Sequence, residues 1–485
     1  MRYDYDAVVV GAGPNGLAAA ITLAQAGLSV LLIEANNEIG GACRSAELTV
    51  PGFSHDSCSA IYPLAVASPF FAALPLDRYG LSWIEPELPL AHPVDDERIV
   101  VLHRQMAAQI KELAEDGEAY RRVLEPFVSH WEDFVGEVLK PLLHLPTQPV
   151  LMAKFGLRAL ASAGHLARKL FKTESARALF GGLAAHSFLS FDKAASAAVG
   201  LVLGVLGHAV GWPMPRGGAG RITQALGNYF QGLNGQIITN RRIKNIDELP
   251  PARAIFLDLT PRQIMAIAGH RLPAGYCRAL KAFRYGPAVF KIDYALSSSI
   301  PWKFSNCAKA GTVHIGGTLS EIEQAEKLVS KGELPNRPFV LAAQPSLFDP
   351  TRAPQGKHTA WAYCHIPHAC EIDVTNKIET QIERFAPGFR DCVIARCARG
   401  PKMLEQGNAN LVGGDINGGL ADLRQLIARP TLSFQPYKTP GQGIYICSAS
   451  TPPGGGVHGM CGRNAAILSL RHDFRIPPNE ALHTK

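Results

Sequence analysis

The sequence predicts an α/β protein: a parallel, nucleotide-binding sheet at the N-terminus joined to an interleaved α+β domain. Three observations carry that expectation. The first 34 residues read as strand, glycine-rich turn, helix and strand. A mostly helical stretch runs from about Met106 to Trp212. Strand-like runs then mix with helices from Tyr285 to about Arg399.

Ala7 to Val10 is a short apolar strand, followed by GAGPNG at Gly11 to Gly16. Leu17 to Ala26 has helical spacing of Leu17, Ala20, Leu23 and Ala24, and Gly27 stands where a helix C-terminal cap belongs. Ser29 to Ile33 is a second strand, ending at Glu34. Leu88 to Val94 and Arg98 to His103 form a hairpin around Asp95-Asp96. Arg216-Gly217-Gly218 opens a helix, Ile222 to Leu233, that leads into a strand from Gln236 to Thr239, and Ala254 to Leu257 is another strand. AVFKIDYAL (288–296), RPFVLAAQ (337–344) and HTAWAYCHI (358–366) are strand-like, and Ile372 to Phe385 is helical. The chain closes with a strand, Gly443 to Ser448, a glycine cluster, and a helix from about Gly462 to Arg471.

Composition excludes several classes. The 485 residues are 47% hydrophobic with a net charge of +7, mild for this length, and no basic tail or aromatic-interleaved basic stripe points to nucleic acid. Ten cysteines lie scattered without a CxxC pair, so they read as free thiols in a reducing compartment, and no metal site is expected. No basic-then-apolar leader is visible at the N-terminus, which suggests a cytoplasmic protein. Ala194 to Trp212 is uncharged and nearly long enough to span a bilayer. It is read as buried core, because a span would separate the two ends of the chain that must meet.

The strongest motif is the N-terminal one. Gly11 allows the sharp turn, Gly13 lets backbone approach a diphosphate, and Gly16 lets helix pack closely on strand, with Ala12, Pro14 and Asn15 between them. A diphosphate then lies at a helix N-terminus, where free N–H groups favour an anion. Glu34, next to Ala35, is placed to accept hydrogen bonds from a ribose diol, which disfavours NADP. Shortly after the acid, EANNEIGGACR places Gly40-Gly41, then Ala42 and Arg44, where backbone passes close to an extended dinucleotide.

That extended motif resembles the FAD-dependent amine oxidase and phytoene desaturase superfamily. PRGGAGRITQAL with GQIITNRRIKNI (215–226, 235–246) is similar to the family's middle segment, and TPPGGGVHGMCGRNAA (451–466) to its C-terminal flavin-closing segment. PGFSHDSCSAIYPLA, GPAVFKIDYAL and GGDINGG resemble the phytoene desaturase-like group that includes pyridine nucleotide-disulfide oxidoreductase domain-containing protein 2, nearly end to end. The resemblance implies non-covalent FAD, with Ile243 over the adenine and Gly455, Gly456, Val457, His458 and Gly459 closing on the flavin. It implies a discontinuous FAD domain (1–75, 215–280, 405–485) and a substrate domain (76–214, 281–404) whose helical part covers about 106–212. Two departures stand out. Ala42-Cys43 separate Arg44 from the glycine pair, and Ser448-Ala449-Ser450 replaces the Gly-Asp whose Asp binds the ribityl chain in many relatives.

For chemistry, the resemblance implies desaturation, isomerisation or amine oxidation. The favoured reading is hydride transfer from an apolar, polyene or lipid-like substrate to flavin N5. An amine or amino-acid oxidase and a flavin-containing, membrane-peripheral binding protein without turnover stay open. Amine oxidation usually needs a flavin-contacting lysine, and no single lysine stands out in the sequence. His458 is the side-chain candidate for catalysis, and His314, His365 and His368 read as structural. Asp415 has no assigned role, and Cys461 is a covalent tether by position only. No second GxGxxG follows, and no CxxxxC pair lies near the first. Electrons are therefore expected to leave to oxygen, a quinone or an organic acceptor. Leu151 to Lys172 carries Lys154, Arg158, Arg168, Lys169 and Lys172, no acid, and interspersed leucines, the pattern of a basic helix on an anionic membrane surface.

Overall fold

The computed structural model describes residues 3–477. Its first sheet has five parallel strands: β1 (Tyr5–Val10), β2 (Val30–Ile33), β5 (Gln236–Ile238), β6 (Ala252–Leu257) and β12 (Ile444–Ile446), in the order β12-β6-β1-β2-β5. Strands from both ends and the middle of the chain therefore share one sheet, as the motif at each expected strand requires.

The second sheet has seven strands. They are β3 (Leu88–Pro93), β4 (Ile99–Leu102), β7 (Ala288–Leu296), β8 (Ala310–Ile315), β9 (Val340–Ala343), β10 (His358–Ile366) and β11 (Val393–Arg399). Their order is β11-β7-β10-β9-β8-β3-β4, and only β8 and β3 run parallel. β3 and β4 are the expected hairpin.

The helices that shape the site are α1 (Pro14–Gln25), α2 (Trp131–Val138), α3 (Pro149–Ala159), α4 (Ala163–Leu170), α5 (Glu174–Ala185), α6 (Ala197–Ala209), α7 (Gly220–Gly232), α8 (Thr375–Phe385) and α9 (Met460–Ser469). α1 starts at Pro14 rather than Leu17, because proline suits a first helical position that has no N–H to satisfy. α8 starts at Thr375 rather than Ile372, where the Asp373 carboxylate accepts the Thr375 N–H at 2.7 Å. α9 starts at Met460 rather than Gly462, after Gly459 turns the chain with φ +68°. It packs on α1 so closely that a Cβ at Gly462 would collide with Asn15 backbone.

One expectation changes, and one is sharpened. The basic stretch from Leu151 to Lys172 is not one helix but α3 and α4. Ser162 is extended between them, and the break is docked by Ala195 N–H on the Leu160 carbonyl (3.1 Å) and Ala163 N–H on Ser196 Oγ (2.8 Å). The uncharged run at 194–212 supplies α6, only 13 residues long. Its Gly200 faces Ala184 of α5 with room for no side chain, a helix–helix approach that explains the glycines. Among the described residues, no helix is long and apolar enough to cross a membrane.

Candidate active site

One cavity of about 1230 Å³ runs from the carboxyl ends of the parallel strands, past the C-terminal glycine loop, to the face of the mixed sheet. A single small-molecule pocket holds about 300–1,000 Å³, so this volume suits two ligands end to end. The parallel-sheet end is where an open α/β sheet places its ligand.

At that end Gly11, with φ +99°, turns the chain, and a Cβ on Gly16 would strike the Gly11 carbonyl. Gly41, with φ +58°, brings its own backbone against Gly13, where an added Cβ would sit 3.1 Å from Gly13 Cα. Glu34 Oε2 accepts the Ala12 N–H at 2.9 Å and Oε1 accepts the Asn36 N–H at 2.9 Å, fixing the acid at the tip of β2. Gly11, Gly13, Pro14, Asn15, Glu34, Ala35, Gly41, Ala42 and Ile243 all line the cavity. Asp258, at the end of β6, was not among the expected residues. Its Oδ2 accepts the Gly16 N–H at 3.0 Å at the N-terminus of α1, and burial pushes its carboxyl up to about 7.

Ala12, Gly16, Gly40, Arg44 and Gly459 stand behind that surface rather than on it. Gly40 N–H donates to the Ala12 carbonyl (2.8 Å), tying the second glycine pair to the first loop. Arg44 Nη2 instead donates to the Gly407 carbonyl at 2.9 Å. The two inserted residues turn it away, since the Cys43 thiol is buried against Tyr62.

Gly455, Gly456, Val457 and His458 line the next part of the cavity. The geometry gives His458 a different task from the catalytic one expected of it. Its Nδ1 accepts the Met460 N–H at 3.0 Å and its Nε2 donates to the Gly454 carbonyl at 3.2 Å. Burial lowers its pKa to about 4, so it is a neutral brace within the loop, with neither nitrogen free. The Cys461 thiol faces the Thr451 and Gly454 carbonyls, and burial pushes it up to about 11, which leaves it unreactive. Both serines of Ser448-Ala449-Ser450 are turned inward, to the Leu259 and Gly418 carbonyls. Asp415 accepts the Gly286, Asn417 and Gly419 N–H groups and so holds the GGDINGG turn. Beside it the buried Arg429 guanidinium donates to the Asn417 (2.9 Å), Gly418 (3.1 Å) and Ala449 (2.8 Å) carbonyls and lines the cavity.

The mixed sheet forms the roof of the far end. Strand alternation places Ala288, Phe290 and Ile292 of β7 in an apolar core on the other side, and Val289 and Lys291 on the cavity wall. Register then assembles a row across strands far apart in sequence: Arg399, Lys291, Tyr363, Leu341 and His314. Lys291 Nζ is buried between Asp293 and the Asp56 carbonyl (3.0 Å), over the Trp361 ring. Trp361 and Tyr363 stack with centroids 5.8 Å apart. His186, at the end of α5, bonds His314 at 3.1 Å, and burial lowers its pKa to about 3. His365 bonds Glu326 (2.8 Å) and His368 the Gly286 carbonyl (2.9 Å), both structural as expected.

Lys291 corrects the expectation that no lysine stands out. Its signal was present, since a Lys and an Asp share one face of an otherwise apolar strand. Nothing in the sequence marks His186 or Arg429. The helical part closes the sides with Met152, Phe155, Val199, Val202 and Leu203.

Residues 9–74 match the NAD(P)-binding Rossmann-like domain model. The chain is 26% identical to mouse pyridine nucleotide-disulfide oxidoreductase domain-containing protein 2, over 97% of this chain and 94% of that protein. It is 23% identical to a lycopene-forming phytoene desaturase from Pantoea ananas, over 95% and 98%. Among solved structures it resembles an oxidoreductase from Methanosarcina mazei (TM-score 0.64, 14% identity, 96% and 99% coverage). It also resembles putrescine oxidase bound to putrescine (TM-score 0.59, 15%, 96% and 99%). With the parallel sheet, the mixed-sheet roof and the cavity joining them, these likenesses make the chain similar, nearly end to end, to the phytoene desaturase-like/amine oxidase superfamily of FAD-dependent oxidoreductases, whose fold it shares.

Proposed function

We propose that the protein holds FAD non-covalently along the parallel-sheet end of the cavity and dehydrogenates an apolar, polyene or lipid-like substrate. The observation that carries this reading is the continuity of the glycine cradle with an apolar chamber in one cavity. The cradle fits a dinucleotide. Gly13 and Gly41 leave backbone exposed, Glu34 stands at the tip of β2, and Ile243 covers the adenine end. In this reading the FAD domain comprises 1–75, 215–280 and 405–485. Bound flavin would accept the hydride at N5. The chain's own residues exclude water with Met152, Phe155 and Val199, set the loop with His458 and Asp415, and place the Arg429 cation behind Ala449. The direct test is anaerobic addition of a polyene or unsaturated lipid to the purified protein, which should bleach its flavin.

A second reading, amine oxidation, is favoured by Lys291 beside the stacked Trp361 and Tyr363. Bleaching by an alkylamine and not by a lipid would select it.

The substrate route is proposed to be a membrane surface. On α3 and the segments flanking it stand Leu145 and Leu157, 94% and 82% exposed, with Leu142, Val150 and Leu160 also exposed. Leu142 and Leu160 also line the cavity. Lys154 and Arg158 flank them, whereas Arg168 of α4 is paired with Glu323. The contact is thus assigned to α3 and the preceding loop, with anionic lipid adding about 1 kcal/mol per free basic residue.

A further inference from the structure

The roof end of the cavity holds more hydrogen-bond donors than acceptors. Lys291 has three N–H donors, and two partners take two of them, Asp293 and the Asp56 carbonyl. Tyr363, its direct cross-strand partner on β10, lines the cavity half-buried, and no hydrogen bond engages its hydroxyl among the described residues. Cross-strand neighbours of this kind have Cβ atoms about 5 Å apart, within reach of two oxygens of one group. Trp361 Nε1, on the same face two residues away, is buried without a partner.

The charges point the same way. Asp293 is shared between Lys291 and Arg399 (2.7 Å), so two basic side chains face one carboxylate, and burial lowers the pKa of Lys291 against the pull of Asp293. Arg352 and Asp56 balance each other at 3.0 Å. His55 lies 4.0 Å from Asp293 and is neutral, because burial lowers its pKa to about 4. The acids that line the cavity are Glu34 and Asp258 at the dinucleotide end and Glu137 beside α3, and none of them is at the roof. A protonated amine at the roof would find no carboxylate among the lining residues there, and an alkane would leave Tyr363 and Lys291 donors unpaired.

We propose that the roof end is a head-group site, in which Lys291 and Tyr363 together bind the carboxylate of a substrate whose apolar chain lies along the helical wall. This rests on the reading of the cavity as the substrate site and names the substrate class more closely. Lys291 and Tyr363 are specificity residues here, and Asp293 positions Lys291.

The test is isothermal titration of the purified protein with decanoate, decylamine and decane in matched detergent, which needs no flavin reduction. Decanoate should bind tightest. Tyr363→Phe should weaken decanoate by about tenfold, the loss of one charge-assisted hydrogen bond, and leave decane unchanged. Lys291→Met should weaken it further, with Tyr363→Phe standing in if that variant does not fold. Decylamine binding tighter than decanoate, decane matching it, or Tyr363→Phe binding decanoate as well as the wild type would each overturn the proposal. Because binding is read apart from turnover, decanoate binding without flavin bleaching by any apolar substrate would sink the dehydrogenase reading and leave the head-group site standing.

Discussion

The two sheets meet at one cavity and contribute to it differently. The parallel sheet offers mostly backbone: glycines at the ends of β1 and β2 and the N-terminus of α1, with two acids, Glu34 and Asp258. The mixed sheet offers side chains, Lys291, Leu341, Tyr363 and Trp361, drawn from β7, β9 and β10 and aligned by register. Backbone sites tolerate only glycine at fixed spacing, so they write a local motif. Side-chain sites need only period-two alternation on each strand, and their meaning appears when the strands pair.

The comparison breaks most sharply at the cradle. Gly13→Glu should lower FAD occupancy by about 100-fold or more, since like charges in a buried site repel by several kcal/mol. The ratio of flavin to protein absorbance checks it, and occupancy near that of the wild type would detach the cradle from the cofactor. At the roof the expected effects separate. Lys291→Met should keep FAD occupancy but slow anaerobic flavin bleaching by about tenfold. Equal loss of flavin in that variant would mean that the two sheets do not divide the work.

This division explains what the sequence disclosed. The βαβ unit, the hairpin β3–β4, and AVFKIDYAL and HTAWAYCHI as strands were all legible, because each carries its period within a few residues. The family resemblance followed from glycine spacing. The basic helix at 151–172 misled, because the break at Ser162 comes from docking against Ala195 and Ser196, a contact that no local pattern records. His458 looked catalytic by position, and only its two backbone partners reveal a brace. Lys291 had a readable signal in its strand face, but its neighbours Asp56 and Arg399 are over 100 residues away in sequence.

Smaller effects sharpen the cradle itself. Asp258 competes for the Gly16 N–H, and its carboxyl titrates at about 7. A diphosphate nearby favours the protonated form. FAD affinity of the deflavinated protein should therefore fall as pH rises through that value, by up to about tenfold per unit. Asp258→Asn should remove the slope, as flavin fluorescence titration at several pH values would report. A wild-type affinity independent of pH would place Asp258 away from the diphosphate.

His458→Ala should cost about 1 kcal/mol per lost hydrogen bond, a shift of a few degrees in thermal melting, with flavin reduction kinetics nearly unchanged. The imidazole's pKa is lowered on folding. Its contribution is therefore present above the ordinary histidine value and is lost as pH falls toward about 4. A large change in bleaching rate without a change in melting would restore a catalytic role.

The membrane assignment separates α3 from α4. Leu145→Glu with Leu157→Glu should reduce co-sedimentation with anionic liposomes severalfold, and Lys169→Glu should do little. No sedimentation of the wild type at low salt would end it.

The central claim is that one continuous cavity brings a bound flavin and an apolar substrate together. Anaerobic visible spectroscopy of the purified protein tests it most directly. The account predicts a yellow protein, one FAD per chain, whose flavin absorbance bleaches on addition of an unsaturated lipid or polyene. A yellow protein left unbleached by every apolar substrate and bleached by alkylamines, or a protein that retains no FAD, would contradict it.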